Sequence, residues 1–312
     1  MLDLHTCYVS EQGGRSRNED ACGYWTSEAG CCWVVSDGAG GHGSGDIASR
    51  LVVSTVLRRF SAHPVVAPDE AVALLQAANE MVITEKTNGD TADDMHATAV
   101  ALLIDPRQGL AVWGHVGDSR IYLFRRGHLA YQTRDHSLVQ NMIDAGFGSV
   151  SMIRTHPKRS LLTSAIGAKE SIALSVSAEP LALQPGDVFL MCTDGWWEYV
   201  DEARMQQTLA EAENADAWLD VMAATVDRTA GDSNDNYTAI GIVVSASESA
   251  TTVILAPRTA PAMVFTEIPA DRVEAFDGVV ASVMGPPSPE TYLRMPFATG
   301  RIIAVKGKPV DP

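Results

Sequence analysis

Lysine is nearly absent from this chain: there are five in 312 residues, within a total of 23 basic against 39 acidic side chains. The resulting formal charge of −16 repels nucleic-acid backbones and anionic lipid, so neither nucleic acid nor membrane insertion is expected. Long apolar runs are missing too, since no stretch approaches the roughly 18 residues of a membrane span. The opening MLDLHTCYVSEQGG carries an aspartate at position 3 and no signal-peptide core, so the expected location is cytoplasmic. Cysteine is sparse and unpatterned. Cys7, Cys22, Cys31, Cys32 and Cys192 are odd in number and lack C-x-x-C spacing, which argues against a disulfide framework and against a zinc site.

What is present is enough for a real core, with 46% hydrophobic and 20% charged residues. Runs rich in β-branched and aromatic residues recur at Leu4–Ser10, Cys31–Ser36, Ala97–Ile104, Leu110–Val116, Arg120–Arg125, Asp187–Cys192 and Tyr237–Val244, each bounded by turn residues. Helical spacing joins Val53, Val56, Leu57 and Phe60, then Ala71, Leu74, Leu75, Ala78 and Val82. Further helices are expected over Ser137–Ala145 and over Ala217–Thr229, the latter capped by Asp216. Strands and helices are segregated, which favours an α+β arrangement with helices outside the sheets.

Composition changes near position 246. Residues 246–312 hold nine of the fifteen prolines, so the chain divides into a domain over 1–245 and a proline-rich extension over 246–312. Val264–Ile268, Val279–Val283 and Ile302–Val305 are apolar enough for short elements within that extension.

Five clusters place carboxylates beside tight turns: RSRNED at 15–20, SDGAGGH at 36–42, GDSR at 117–120, TDGWWE at 193–198 and DSNDN at 232–236. Any one of them is an ordinary turn signal. Together they matter, because aspartates at strand ends can converge. A converging set of Glu19, Asp20, Asp37, Asp118, Asp194, Glu198 and Asp235 is untenable without cations, and hard ions such as Mg²⁺ and Mn²⁺ take oxygen ligands. Two such ions about 3.5–4 Å apart can share a water, lower its pKa and set it in line with a phosphorus atom.

The order RSRNED, DGAGGH, MHATAV, GDSR, RDHSLVQ, HPKRSLLTSAIG, TDGWWE and NDN resembles the metal-dependent serine/threonine protein phosphatases of the PPM family, bacterial branch, over residues 5–245. The resemblance implies a four-layer α-β-β-α sandwich of two mainly antiparallel sheets. It also implies two core Mn²⁺ or Mg²⁺ ions, with a third held more weakly. Asp37 would bridge the core ions, Gly38 would lend its carbonyl to one, and Asp194 and Asp235 would hold the other. Glu19 and Asp20 would act through metal-bound waters, Arg15 would clamp the substrate phosphate, and Asp118 with Asp194 and Glu198 would form the third site. Thr98 falls near that site.

The activity implied is hydrolysis of phosphoserine and phosphothreonine on proteins by direct attack of a metal-bridging hydroxide. The partners implied are phosphorylated proteins and a cognate bacterial serine/threonine kinase. NEDAC and DGAGGHGSGDIAS resemble phosphatases of type VI secretion control in particular. The rival reading is a silent phosphatase-like scaffold, whose mark would be a lost core ligand; Asp37, Asp194 and Asp235 are all kept.

Departures from the family pattern are few. Ala39 replaces the Met or His that relatives carry, which leaves no side-chain acid there, and Ser164 stands where they commonly have Arg. His42, His96, His136 and His156 read as structural, Trp196 and Trp197 as core, and the flap segment Gly146–Ile153 as short and little charged.

Overall fold

The computed structural model describes residues 2–40, 44–88, 95–168, 172–231, 234–247, 262–266 and 301–305. His42 and the Val279–Val283 run lie outside the described residues. In chain order the strands are β1 (Leu2–Glu11), β2 (Ala21–Thr26), β3 (Cys31–Ser36), β4 (Gly38–Ala39), β5 (His96–Ala97), β6 (Ala99–Asp105), β7 (Leu110–Val116), β8 (Arg120–Arg125), β9 (His128–Gln132), β10 (Ser175–Val176), β11 (Leu181–Ala182), β12 (Val188–Cys192), β13 (Tyr237–Ala246), β14 (Ala262–Thr266) and β15 (Arg301–Val305). The helices are α1 (Ser44–Ala62), α2 (Pro68–Asn88), α3 (Leu138–Asp144), α4 (Met152–Thr155), α5 (Asp194–Trp197), α6 (Glu202–Glu211) and α7 (Ala215–Ala230).

Two sheets stack face to face. One runs β1-β13-β12-β8-β9, the other β7-β6-β3-β2-β14-β15 with β10 and β11 both on the free edge of β7. Period-two alternation decides which side chain enters which layer. Cys32 and Val34 of β3 pack under α1 and α2, while Trp33 and Val35 point between the sheets. On the other sheet Tyr122, Phe124, Leu190 and Cys192 meet Trp218, Leu219 and Met222 of α7, while Ile121, Leu123, Phe189 and Met191 face the middle layer. Each sheet is therefore apolar on both faces, and the result is the expected four-layer α-β-β-α sandwich.

Differences from the sequence expectation are local. Asn214 caps α7 in place of Asp216, its side chain accepting from Ala217 N at 2.9 Å. Strand β2 and helix α6 were not anticipated. In the proline-rich segment β14 pairs antiparallel with β2, and β15 pairs parallel with β14.

One buried ion pair ties the GDSR strand to the segment after β9. Arg120 forks onto Asp135 through two bonds of 2.7 Å, donates to Tyr122 Oη at 3.0 Å and lies 3.6 Å over the Trp197 ring. Both partners are almost fully buried. Removing one member of such a pair strands the other charge and costs about 3–5 kcal/mol. R120A should therefore lower the urea midpoint strongly, whereas the apolar double replacement R120M/D135L should recover most of the loss; a double variant no more stable than R120A would overturn this account.

Candidate active site

Strand register gathers the five acidic clusters. Glu11 of β1 faces Tyr237, Cys192 faces both Ala239 and Arg120, Ala21 faces Ser36, and Ala99 faces Val116. The chain therefore leaves or enters each of these strands at the same end of the sandwich. Asp20, Asp37, Asp118, Asp194 and Asp235 all sit on the connections at that end, with Glu19 and Glu198 beside them.

The connections are stapled to one another by neutral hydrogen bonds. Thr98 joins two of them: its hydroxyl accepts from Asp37 N at 2.9 Å and lies 2.6 Å from Ser119 Oγ, one residue past Asp118. Gly38 N donates to Glu19 O at 3.1 Å. Asn236 gathers the RNED loop, accepting from Glu19 N and donating to the carbonyls of Gln12 and Arg17. Thr193 Oγ1 donates to Asp20 Oδ2 at 2.9 Å. Gly195 lets the TDG and DN loops touch, because a Cβ there would sit 2.1 Å from Asn236 O. Any larger residue would push Asp194 and Asp235 apart.

Asp20 and Asp118 are buried and Asp37 and Asp194 half-buried, so the charge is concentrated in little water. Burial, then Asp194, Asp20, Asp118 and Asp235, drives the Asp37 carboxyl well above the usual range. Burial, then Asp194 and Asp135, does the same to Asp118, with Arg120 opposing. Asp20 is pushed up to about 8, mainly by burial against the restraint of the Thr238 and Thr193 hydroxyls. Asp194 is pushed up to about 7 by burial and by Glu198 and Asp235. Glu19 is also raised, by burial and by Asp46.

Two arginines stand against the outer carboxylates. Arg15 Nη2 donates to Asp235 Oδ2 at 2.6 Å, and Arg159 forks onto Glu198 at 2.5 and 3.0 Å. Beside the first pair opens a cleft of about 440 Å³ lined by Arg15, Ser16, Arg17, Glu19, Gly40, Asp235 and Asn236. Among the described residues, no group of three or more His, Cys, Asp or Glu side chains is closed tightly enough to hold an ion as it stands. The donor chemistry nevertheless fits hard divalent cations: the donors are oxygens, and the carboxylates hold off their own ionisation chiefly by burial and by facing each other, a penalty that a cation removes.

Sequence reasoning missed Arg159, Ser119, Thr193 and Asn236, which act on the carboxylates through contacts that spacing does not reveal. Trp197 is core, as expected, yet its Nε1 also donates to Asp118 O at 2.9 Å. His96 approaches Lys86 Nζ at 3.0 Å, His156 caps α4, and Ser164 Oγ donates to Ala173 O, so none of these three joins the acidic group.

The family model for protein phosphatase 2C matches residues 10–238. The serine/threonine phosphatase stp of Listeria innocua is 26% identical over 238 residues, covering 74% of this chain and 93% of its own length. PppA, described as a key regulatory component of the type VI secretion system in Pseudomonas aeruginosa, superposes with a TM-score of 0.63 at 29% identity, covering 77% of this chain and 97% of that one. The catalytic domain of the phosphatase PstP, in complex with two manganese ions, shares the fold with a TM-score of 0.67 at 24% identity, over 79% of this chain and all of that one.

The carboxylate pKa values set a pH test. A group whose folded pKa is raised stabilises the fold fully below its unfolded value of 3.8 and loses that contribution as pH climbs through the folded value, about 7 for Asp194 and about 8 for Asp20. The chelated protein should therefore lose thermal stability between pH 4 and 8. Added Mn²⁺ should raise the melting temperature more at pH 8 than at pH 5, because ligands must be deprotonated to bind. A chelated protein that melts higher at each step of that range would contradict the assignment.

Proposed function

The chain belongs to the protein phosphatase 2C family and is a metal-dependent protein serine/threonine phosphatase, and from this premise we propose which residues carry the reaction. Asp37, the Gly38 carbonyl, Asp194 and Asp235 would hold two Mn²⁺ or Mg²⁺ ions, with Glu19 and Asp20 supporting them through waters. Asp118, Asp194 and Glu198 would hold a third ion more weakly. The observation that carries this reading is the convergence of four buried or half-buried aspartates with raised pKa values at one end of the sandwich, beside an arginine-lined cleft. Bound there, the cations supply a nucleophile competent at neutral pH and positive charge for the phosphoryl oxygens.

The chain's own groups do the rest. Arg15 presents a planar fork to the phosphate, and only its Nη2 is engaged by Asp235, so the other donors remain for phosphoryl oxygens. Thr193 keeps the Asp20 carboxylate in place, and Asn236 fixes the loop that carries Arg15 and Glu19. Ala39 offers no proton, so protonation of the leaving oxygen would fall to a group other than the side chain at 39.

The substrates are phosphoproteins, and the enzyme opposes a bacterial serine/threonine kinase in the cytoplasm. The likeness to PppA and the NEDAC and DGAGGHGSGDIAS stretches support a place in type VI secretion control. Among the described residues no helix is long and apolar enough to cross a membrane. Residues 1–245 form the catalytic domain, and 246–312 serve docking.

Turnover of phosphothreonine peptide and of p-nitrophenyl phosphate should need added Mn²⁺ or Mg²⁺ and stop in excess EDTA; undiminished turnover after thorough chelation would overturn the metal mechanism. D37N should abolish activity and weaken metal binding, since the charge that would hold the cations is lost. R15A should instead raise KM and slow turnover with metals still bound. Identical metal-binding defects in both variants would sink the separate roles.

A chain ending at Ser247 keeps β13 whole and gives up the pairing of β14 with β2, whose other edge is held by β3. It should fold and hydrolyse p-nitrophenyl phosphate at the full-length rate. Aggregation of the shortened chain would show that residues beyond 247 complete the sheet.

A further inference from the structure

The turn that carries Asp118 is built around a peptide that one histidine holds from both sides. Gly117 sits at φ +93°, a conformation that favours glycine, and a Cβ there would meet Thr98 Cγ2 at 2.7 Å. Its carbonyl accepts from His136 N at 2.9 Å, and its N–H donates to His136 Nδ1 at 3.2 Å. Both polar groups of Gly117 are therefore spent on His136.

That arrangement fixes the state of the ring. An Nδ1 that accepts from a backbone N–H carries no proton, so the hydrogen is on Nε2, which donates to Ser175 Oγ at 2.9 Å. The ring is stacked on His115 at 4.6 Å and 14°, and His115 donates through Nε2 to Arg134 O at 2.8 Å. A charged ring at 136 would turn a donor toward the Gly117 N–H and face a second imidazole. On its far side His136 O accepts from Thr163 N at 2.8 Å, and Leu138 N donates to Leu161 O at 2.8 Å. His136 thus stands between the Asp118 turn and the chain returning from the 145–161 segment.

We propose that His136 is a positioning residue of the outer cation site: as a neutral Nε2–H imidazole it fixes the Gly117 peptide and so sets the Asp118 carboxylate opposite Asp194. A side chain with no acceptor at that place cannot replace it, because Trp197 and Thr98 hold only the next two residues of the turn, at Asp118 O and Ser119 Oγ. The inference rests on the assignment of Asp118 to the outer site. The same bond also predicts which substitution works: an asparagine at 136 offers an amide oxygen close to where Nδ1 lies, whereas alanine offers no acceptor.

Calorimetric Mn²⁺ titration and phosphothreonine-peptide kinetics on H136A, H136N and D118A test it. H136A should weaken the outer site and lower kcat by about 10–100-fold, as loss of a group behind a metal ligand typically does. KM and the tight sites should hardly change, and H136N should restore most of both losses. Long-range ¹⁵N NMR of the wild-type protein at pH 7 should report the Nε2–H tautomer at 136. Wild-type outer-site affinity in H136A together with weakened affinity in D118A would overturn the role of His136 alone. Wild-type affinity in D118A would remove the assignment of Asp118 and this role with it. If H136A does not fold, the NMR experiment and H136N decide: an Nδ1–H or charged ring, or an H136N protein with a weakened outer site, would overturn the proposal.

Discussion

Four aspartates held at one end of two sheets repel one another, and much of the surrounding structure bears on that cost. Unpaired charge in a half-dry environment is among the most expensive things a fold can contain. Hydroxyl and amide groups that carry no charge hold their loops: Thr98 between Asp37 and Ser119, Thr193 on Asp20, Asn236 across the RNED loop. A lysine among them would pay the electrostatic debt and spoil a cation site at once. Arg120, two residues past Asp118, is locked away on Asp135.

The sandwich supplies rigidity where the site needs it. Because each sheet is apolar on both faces, strand ends are fixed by packing in two layers and their loops have little freedom to relax apart. Trp197 illustrates the coupling. Its ring is core, stacked beneath Arg120, yet its Nε1–H fixes Asp118 O, and the next residue is Glu198. Asp118 and Glu198, both proposed for the outer site, are thereby joined through one buried side chain.

The acidic loops were legible in the sequence because turn chemistry and carboxylates coincide: DG, GD and DN dipeptides are local signals, and so are the β-branched runs before them. Strand β2 was not legible, because ACGYWT is short, contains glycine and follows directly on a charged loop. Helix α6 was missed because EARMQQTLAE buries only Met205 and Thr208, too thin a stripe for a periodic signal. Pairings such as Arg159 with Glu198 span 39 residues and depend on how a loop folds back over the site, which no spacing rule encodes. The Asp216 cap was misplaced by two residues because Asn214 is as good a capping residue and stands earlier.

A chain of charge −16 must also accept a phosphate dianion, and the distribution of its few cations bears on how. Residues 145–168 contain no Asp or Glu and carry Arg154, Lys158 and Arg159, so the return of the flap segment is a basic edge on an acidic molecule. Two of these are already committed, Arg154 to Glu202 and Arg159 to Glu198, just as Arg15 is committed to Asp235. Arg15 and Arg159 therefore sit on carboxylates assigned to cations. A cation on either carboxylate would compete with its guanidinium, and within the Debye length of roughly 8 Å at physiological salt an arginine freed in that way would add to the attraction for phosphate. In that case occupancy of the proposed metal sites and attraction for phosphate would rise together.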